Sequence, residues 1–128
     1  MKIIAVSFLL VLGIFGNGCA EFRSTDQPSD ATTGPTFFLG ELRHTEITTI
    51  ERAWRGVHAA LKDLNYRVKS NEHDLLQGTI IAVESGHDVK IHLEETSPTT
   101  TEIRIRAGTL GDKAVAREIL TAIRKHIR

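Results

Sequence analysis

Polar and apolar residues alternate along much of the second half of the chain, with the period of two that predicts β-strands. The pattern is cleanest in residues 89–94 and 102–106, where aliphatic side chains occupy every second position. Residues 66–69 alternate in the same way, and residues 75–83 form a further strand-like run in which Gly78 favours a bulge or close packing. These four strands should each place one face in a core and the other in water.

Two segments have the period of amphipathic helices. The first runs from about Thr48 to Leu64 with Thr45 or Thr48 as N-cap, and Asn65 ends it because asparagine tolerates the left-handed conformation. The second follows Asp112, a good N-cap, and carries cations in its final turn. Their apolar stripes consist of Ile50, Trp54, Val57, Leu61 and Leu64 in the first helix and Val115, Ile119, Ala122, Ile123 and Ile127 in the second.

A short apolar run at residues 37–43 predicts one more strand before the first helix. The order is then β-α-β-β-β-β-α, and two amphipathic helices with a one-sided meander predict an α+β two-layer domain. In it, both helices pack on one face of an antiparallel sheet. The first strand can join either edge of that sheet, because a helix separates it from its partners. We expect residues 36–128 to form a single globular domain.

The segment before this domain predicts export. Lys2 precedes a nearly unbroken apolar run of thirteen residues, too short for a membrane span of about 20. Residues 16–18 then lead to the one cysteine of the chain, Cys19. We interpret residues 1–18 as a lipoprotein signal peptide and Cys19 as the lipidation site. The alternative is an ordinary secretory signal with Cys19 left as a free thiol. Residues 20–35 have the composition of a flexible tether.

Charge excludes several classes of partner. The 128 residues carry 16 Lys+Arg and 16 Asp+Glu, and loss of Lys2 with the signal leaves 15 against 16, a net charge of −1. From this net charge we expect no strong field that would attract DNA, RNA or anionic lipid. With Cys19 acylated, no thiol is left for a disulfide.

The sequence carries few candidates for chemistry. The six histidines lack the i, i+4 or H-x-H spacing of zinc sites, and His73 and His87 should lie at opposite ends of one strand, so we expect no metal. No motif of nucleophilic catalysis or phosphate binding is present, and Glu94 and Glu95 point to opposite faces of a strand. We therefore expect neither an enzyme nor a cofactor.

One sheet face and one loop are candidate binding surfaces. If the last two strands form a hairpin, Lys90 and His92 lie beside Arg104 and Arg106 in a locally basic stripe. This stripe could dock an acidic partner or a lipid headgroup, or it could be an ordinary solvated face. The loop at residues 108–112 could present N–H groups to an anion, or form a tight turn capped by Asp112.

Several motifs resemble a known family. Gly40-Glu41-Leu42, Gly78-x-Ile80-x-Ala82 and, most specifically, residues 103–112 followed by residues 116–120 are similar to small bacterial lipoproteins of the domain-of-unknown-function 3568 family. The tether departs from the Gly/Ala-rich stretch with tyrosines that is common in that family. The resemblance implies a Gram-negative, membrane-anchored lipoprotein but no particular activity. Ala20 after Cys19 resembles lipoproteins sent to the outer membrane.

These observations lead to two hypotheses of function. The first is a non-enzymatic interaction or scaffold module, held at the periplasmic face of the outer membrane by its lipid anchor and docking an envelope protein. The alternative is a small module that binds a ligand in a pocket between helices and sheet. The sequence leaves the partner and the oligomeric state open.

Overall fold

The structure is a computed structural model, and it describes residues 34–128, which belong to one compact unit. Cys19, the signal and most of the tether lie outside the described residues. Two helices and six strands follow in the order β1 (Thr36–Phe38), β2 (Glu41–Glu46), α1 (Ile50–Asp63), β3 (Arg67–His73), β4 (Gln77–Glu84), β5 (His87–Ser97), β6 (Thr100–Ala107) and α2 (Lys113–Ile127).

All six strands form one antiparallel sheet in the order β1-β2-β6-β5-β4-β3. The first predicted strand is a short hairpin, because Leu39 and Gly40 both have positive φ, 53° and 81°, and turn the chain back on itself. Its second arm, β2, pairs with β6, which settles the edge to which it adds. The predicted α+β fold class is confirmed, with six strands where the sequence pattern indicated five.

The β3–β4 hairpin differs most from the predicted boundaries. The predicted strand ends at residue 69, but β3 continues to His73 and contains a register shift between Val68 and Ser70. The Asp74 carboxylate then accepts hydrogen bonds from the N–H groups of Leu76 (2.9 Å) and Gln77 (3.0 Å) and closes the turn. Leu75 and Leu76, predicted to lie in a strand, are therefore exposed in this turn.

Both helices cover the same face of the sheet and bury a single core. Thr49, not Thr45 or Thr48, caps α1, since its side chain accepts from the N–H of Arg52. Asn65 follows α1 with φ 66°, as predicted. The largest fully buried apolar side chains come from both layers and are Leu42, Val57, Leu61, Ile80, Val89, Ile91, Leu93, Ile103, Ile105, Ile119 and Ile123.

Gly78 allows α1 to approach the sheet. A Cβ at this position would lie 2.5 Å from Cζ3 of Trp54 and 2.7 Å from Cβ of His73, closer than real Cβ contacts. The glycine predicted to permit close packing therefore does so, and the indole of Trp54 occupies the space. Trp54 is only partly buried against the core.

Candidate functional site

The four residues of the predicted binding stripe lie next to one another on the sheet face opposite the helices. Lys90 pairs with Arg106 and His92 pairs with Arg104 across β5 and β6. Their neighbours in each strand, Ile91 and Ile105, point into the core. The hairpin on which the stripe depends is therefore present, while its binding role stays a prediction.

The centre of this stripe is neutralised by carboxylates. Glu94 and Glu102 face each other across the strands, and the Arg104 guanidinium bridges them. Its Nη2 lies 2.8 Å from Glu94 Oε1 and its Nε lies 2.7 Å from Glu102 Oε1. The hydrogen bond to Glu102 is the main cause that raises the pKa of Arg104. His92 is also engaged, with its Nδ1 2.9 Å from Thr79 Oγ1.

Two cations at one end of the stripe are not neutralised in this way. Within residues 34–128, neither Lys90 nor Arg106 forms a salt bridge. Arg106 instead reaches the β1–β2 turn, where its Nη2 donates a 2.7 Å hydrogen bond to the carbonyl oxygen of Leu39. The positive charge of the predicted surface is thus concentrated beside this turn.

The β1–β2 turn touches the β6–α2 loop through backbone. A Cβ on Gly111 would lie 2.2 Å from the carbonyl oxygen and 2.4 Å from the Cα of Gly40, so only glycine fits there. The contact holds Leu39 on one loop and Leu110 on the other at the same end of the sheet, where their side chains are 76% and 89% exposed. Phe38, the last residue of β1, is exposed as well.

We name this end of the domain the basic tip. It consists of three exposed apolar residues and three cations, namely Phe38, Leu39, Leu110, Lys90, Arg106 and Lys113. Sequence reasoning missed its apolar part because residues 37–43 fit a single strand. The signal was Gly40, which interrupts an apolar run and marks a turn.

The structure favours the simpler interpretation of the loop at residues 108–112. The Asp112 side chain accepts from the N–H of Val115 (3.1 Å), as an N-cap does. Gly111 packs against Gly40 instead of facing an open cradle. A cleft of ≈ 660 Å³ nevertheless opens between this loop, the adjacent ends of β5 and β6 and the start of α2, and its walls include Val89, Val115 and Lys113.

The opposite end of the sheet also exposes apolar side chains, but with acidic neighbours. We name it the acidic end, and it consists of Ile47, Leu75, Leu76, Glu51, Asp74 and Glu95. A cleft of ≈ 580 Å³ there is lined by all three carboxylate residues and Leu75. The backbone N–H groups of Leu76 and Gln77 lower the pKa of Asp74, which keeps this carboxyl ionised.

A tryptophan with two histidines lies near the acidic end. The ring of Trp54 stacks on His73 at a centroid distance of 4.4 Å and meets His58 edge-on at 5.1 Å. Burial lowers the pKa of His58, and repulsion from His73 lowers it further. The group is part of the packing of α1 on the β3–β4 hairpin.

His73 and His87 lie at opposite ends of β4, as predicted, because they pair with Gly78 and Glu84 respectively. Among residues 34–128, no three His, Cys, Asp or Glu side chains are grouped so that they could hold a metal ion.

The same part of the chain contains no helix with the length and hydropathy that a membrane crossing requires.

The domain is thus a two-layer α+β module with an open sheet face and two chemically different ends. The profile of the family described as "Protein of unknown function (DUF3568)" matches residues 2–126, so the chain belongs to this family. The resemblance seen in the sequence motifs is thereby confirmed at the level of the family. A comparison with curated proteins gives no match.

Proposed function

We propose that this protein is a non-enzymatic lipoprotein of the cell envelope, anchored through Cys19 at the periplasmic face of the outer membrane of a Gram-negative bacterium. It would serve as an interaction or scaffold module for another envelope protein. The observation that carries the proposal is the open face of the sheet. Both helices cover the other side, and no described element covers the outer side chains of β2, β6, β5 and β4.

The chemistry of this face supports binding more than catalysis. Arg104 is held by two carboxylates, Arg43 by Glu41 at 2.8 Å, and Lys69 by Asp88 at 3.3 Å. Arginine stays protonated at physiological pH, so Arg104 and Arg43 are poorly suited to exchange protons with a substrate. A surface of mixed, ordered charge gives a protein partner specific complementary positions.

In-cell crosslinking tests the interaction. A photo-crosslinking residue is placed at position 92 or 104 in the anchored protein and in the Cys19→Ser variant, and at Arg55 on the exposed face of α1 as the matched control. We expect one envelope protein to be captured from positions 92 and 104 of the anchored form and not from position 55. Equal capture from all three positions, or none, would reject the sheet face as the docking surface.

Anchoring is tested separately by metabolic labelling with a clickable palmitate analogue. The wild type should incorporate the label and sediment with membranes, whereas Cys19→Ser should do neither. An unlabelled wild type would remove lipidation from the proposal and leave Cys19 as a free thiol after an ordinary signal.

A ligand-binding module is the second candidate, and the cleft of ≈ 660 Å³ between the sheet and the start of α2 favours it. Against it, Val57, Leu61, Ile119 and Ile123 are fully buried where the helices meet the sheet. Native mass spectrometry of protein purified from its own envelope distinguishes the two. A stoichiometric bound small molecule, lost in a Val115→Trp variant, would favour the ligand-binding candidate.

A further inference from the structure

We propose that the basic tip docks onto an anionic phospholipid surface and fixes the orientation of the domain relative to the membrane. This inference rests on the proposed lipid anchor for its biological setting. The tip combines three exposed apolar residues with three neighbouring cations. Side chains of this kind enter the boundary between lipid headgroups and acyl chains, where apolar groups gain burial and cations meet phosphates.

Leu39 is the first observation, because nothing in the fold favours a leucine at its position. It has a φ of 53°, followed by Gly40 at 81°, and two successive positive φ values in a two-residue hairpin turn favour Asn-Gly or Asp-Gly. A bulky residue is uncommon there, and this one is also 76% exposed. Its side chain gains neither backbone preference nor core burial, so an external contact explains it better.

The cations of the tip lie at positions that do not favour the folded state. Lys90 and Arg106 are directly opposite each other across two strands, where like charges repel. Lys113 is the first residue of α2, where the helix dipole disfavours a cation and the first turn offers no acidic residue. Its Nζ lies 5.9 Å from the centroid of the Phe37 ring, so its partner is an aromatic face and not a carboxylate. Each of these positions becomes favourable when a negative surface lies against the tip.

The nearby acidic side chains do not cancel this charge. Glu41 is paired with Arg43, Asp88 with Lys69, and the Asp112 carboxylate accepts from a backbone N–H. Within residues 34–128, Arg106, Lys90 and Lys113 form no salt bridge with a carboxylate. A phosphate-bearing surface is therefore the complementary partner.

The entry point of the chain fits the same geometry. The described domain begins at β1, and Thr36 is three residues before Leu39, or about 10 Å along a strand. The chain from Cys19 to Thr36 can span no more than about 60 Å, so an anchor at Cys19 would keep the tip within about 70 Å of the bilayer. Such a link gives a weak contact a high effective concentration.

The experiment measures vesicle binding of the mature chain from residue 19 with Cys19→Ser, so that no acyl chain contributes. Flotation uses vesicles of phosphatidylcholine with phosphatidylglycerol, and pure phosphatidylcholine for comparison. The variant Phe38→Ser/Leu39→Ser/Leu110→Ser removes the apolar part of the tip. The matched control, Ile47→Ser/Leu75→Ser/Leu76→Ser, removes the three exposed apolar residues of the acidic end.

We expect the unaltered tip to bind the phosphatidylglycerol vesicles, the tip variant to lose at least about tenfold in partition coefficient, and the control to keep it. Binding should weaken as salt rises, since the cations are exposed. Equal loss in both variants, equal binding to both lipids, or no binding at all would overturn the proposal. Because the chain is unacylated, these outcomes are independent of whether Cys19 is lipidated in cells.

A single substitution separates membrane contact from folding. Leu39→Asn supplies the Asn-Gly dipeptide that this turn favours, so it should raise the urea midpoint of unfolding while lowering vesicle binding several-fold. Lower stability together with lower binding would mean that Leu39 serves the fold.

If the tip instead joins two copies of the chain, size-exclusion chromatography with light scattering would show a dimer that the tip variant abolishes, and the membrane proposal would be rejected. Anchor-dependent crosslinking of one envelope protein from positions 39 and 110, without vesicle binding, would also reject it.

Discussion

The two ends of the sheet expose similar amounts of apolar surface but differ in charge and in how they are built. At the basic tip, two loops meet through the backbones of Gly40 and Gly111, and the cations around them lack carboxylate partners in the described chain. At the acidic end, Asp74 closes the β3–β4 turn with two hydrogen bonds and α1 packs nearby through Trp54.

In our proposal, the acidic end contributes to stability and the basic tip to recognition. The acidic end uses its polar and aromatic groups on its own chain, in hydrogen bonds and ring contacts. At the basic tip, Arg106 bonds the carbonyl oxygen of Leu39 and Lys113 lies over the Phe37 ring, but no cation of the tip pairs with a carboxylate of the described residues. The apolar residues Phe38, Leu39 and Leu110 are exposed. Residues that break local rules without a gain in packing are the ones that most often serve a function.

The largest expected effect is that of Gly111→Ala, which disrupts the backbone contact between Gly40 and Gly111 in the basic tip. The new Cβ would fall 2.2 Å from the Gly40 carbonyl oxygen at a φ of +86°, so we expect a loss of at least about 3 kcal/mol in the free energy of unfolding. Gly86→Ala is the control, because Gly86 has a similar φ of +82° with no atom within 4 Å, and it should cost only about 1 kcal/mol. Urea denaturation measures both, and equal losses would mean that the loop contact carries no stability.

The next effect tests the packing near the acidic end. Trp54→Ala should cost about 2 to 3 kcal/mol, less than the about 3 to 5 of a fully buried tryptophan, because the ring is only partly buried. A double-mutant cycle with Gly78→Ala sharpens the test. The methyl group added at position 78 clashes with the indole of Trp54, so it should destabilise the protein less once Trp54 is alanine. Strict additivity in urea melts would contradict the close packing of the two residues.

A smaller effect is expected on the sheet face between the two ends. Arg104→Ala should lower the free energy of unfolding, because it leaves Glu94 opposite Glu102 with no cation between them. The loss should be about 1 kcal/mol or less, because the ion pairs are partly exposed. Adding Glu102→Gln should recover part of that loss by removing the repulsion. A double variant that is no more stable than Arg104→Ala would show that the bridge between the two carboxylates is unimportant.

The smallest expected effect is a dependence on pH from His58. Burial and His73 lower the pKa of His58 in the folded protein below its ordinary value of 6.5, so the unfolded chain binds this proton first as pH falls. The contribution of neutral His58 to the free energy of unfolding should therefore be fully present above pH 6.5. It should decline below that pH until His58 is protonated in the folded state as well. Urea midpoints across this range should decline less in His58→Gln, and identical pH profiles would contradict the lowered pKa.

Much of the fold could be predicted from local patterns. The alternation in β5 and β6 identified both strands and the face on which Lys90, His92, Arg104 and Arg106 lie, and the apolar stripes identified both helices. The boundaries near Phe38 and Leu75 were wrong for one reason. Apolar residues were assigned to strands, although the backbone there turns and leaves them exposed.

The candidate site was less accessible to sequence reasoning. The stripe was found because its residues are close in sequence and joined by one hairpin. The basic tip was not, because Leu39 and Arg106 are 67 residues apart and meet only when β2 adds to β6. The same pairing gives Arg106 a carbonyl oxygen as its partner, whereas the two carboxylates that bind Arg104 belong to the β5–β6 hairpin itself.

The sequence by itself determined the period of each element, the buried side of each strand and helix, and hence a two-layer domain with one open sheet face. These are local properties, set by which neighbouring side chains must leave water together. Only the tertiary structure decided the edge that the first hairpin joins, the contact of Gly40 with Gly111 and the opposite character of the two ends. Those features depend on the register between distant segments, which hydrophobic periodicity does not encode.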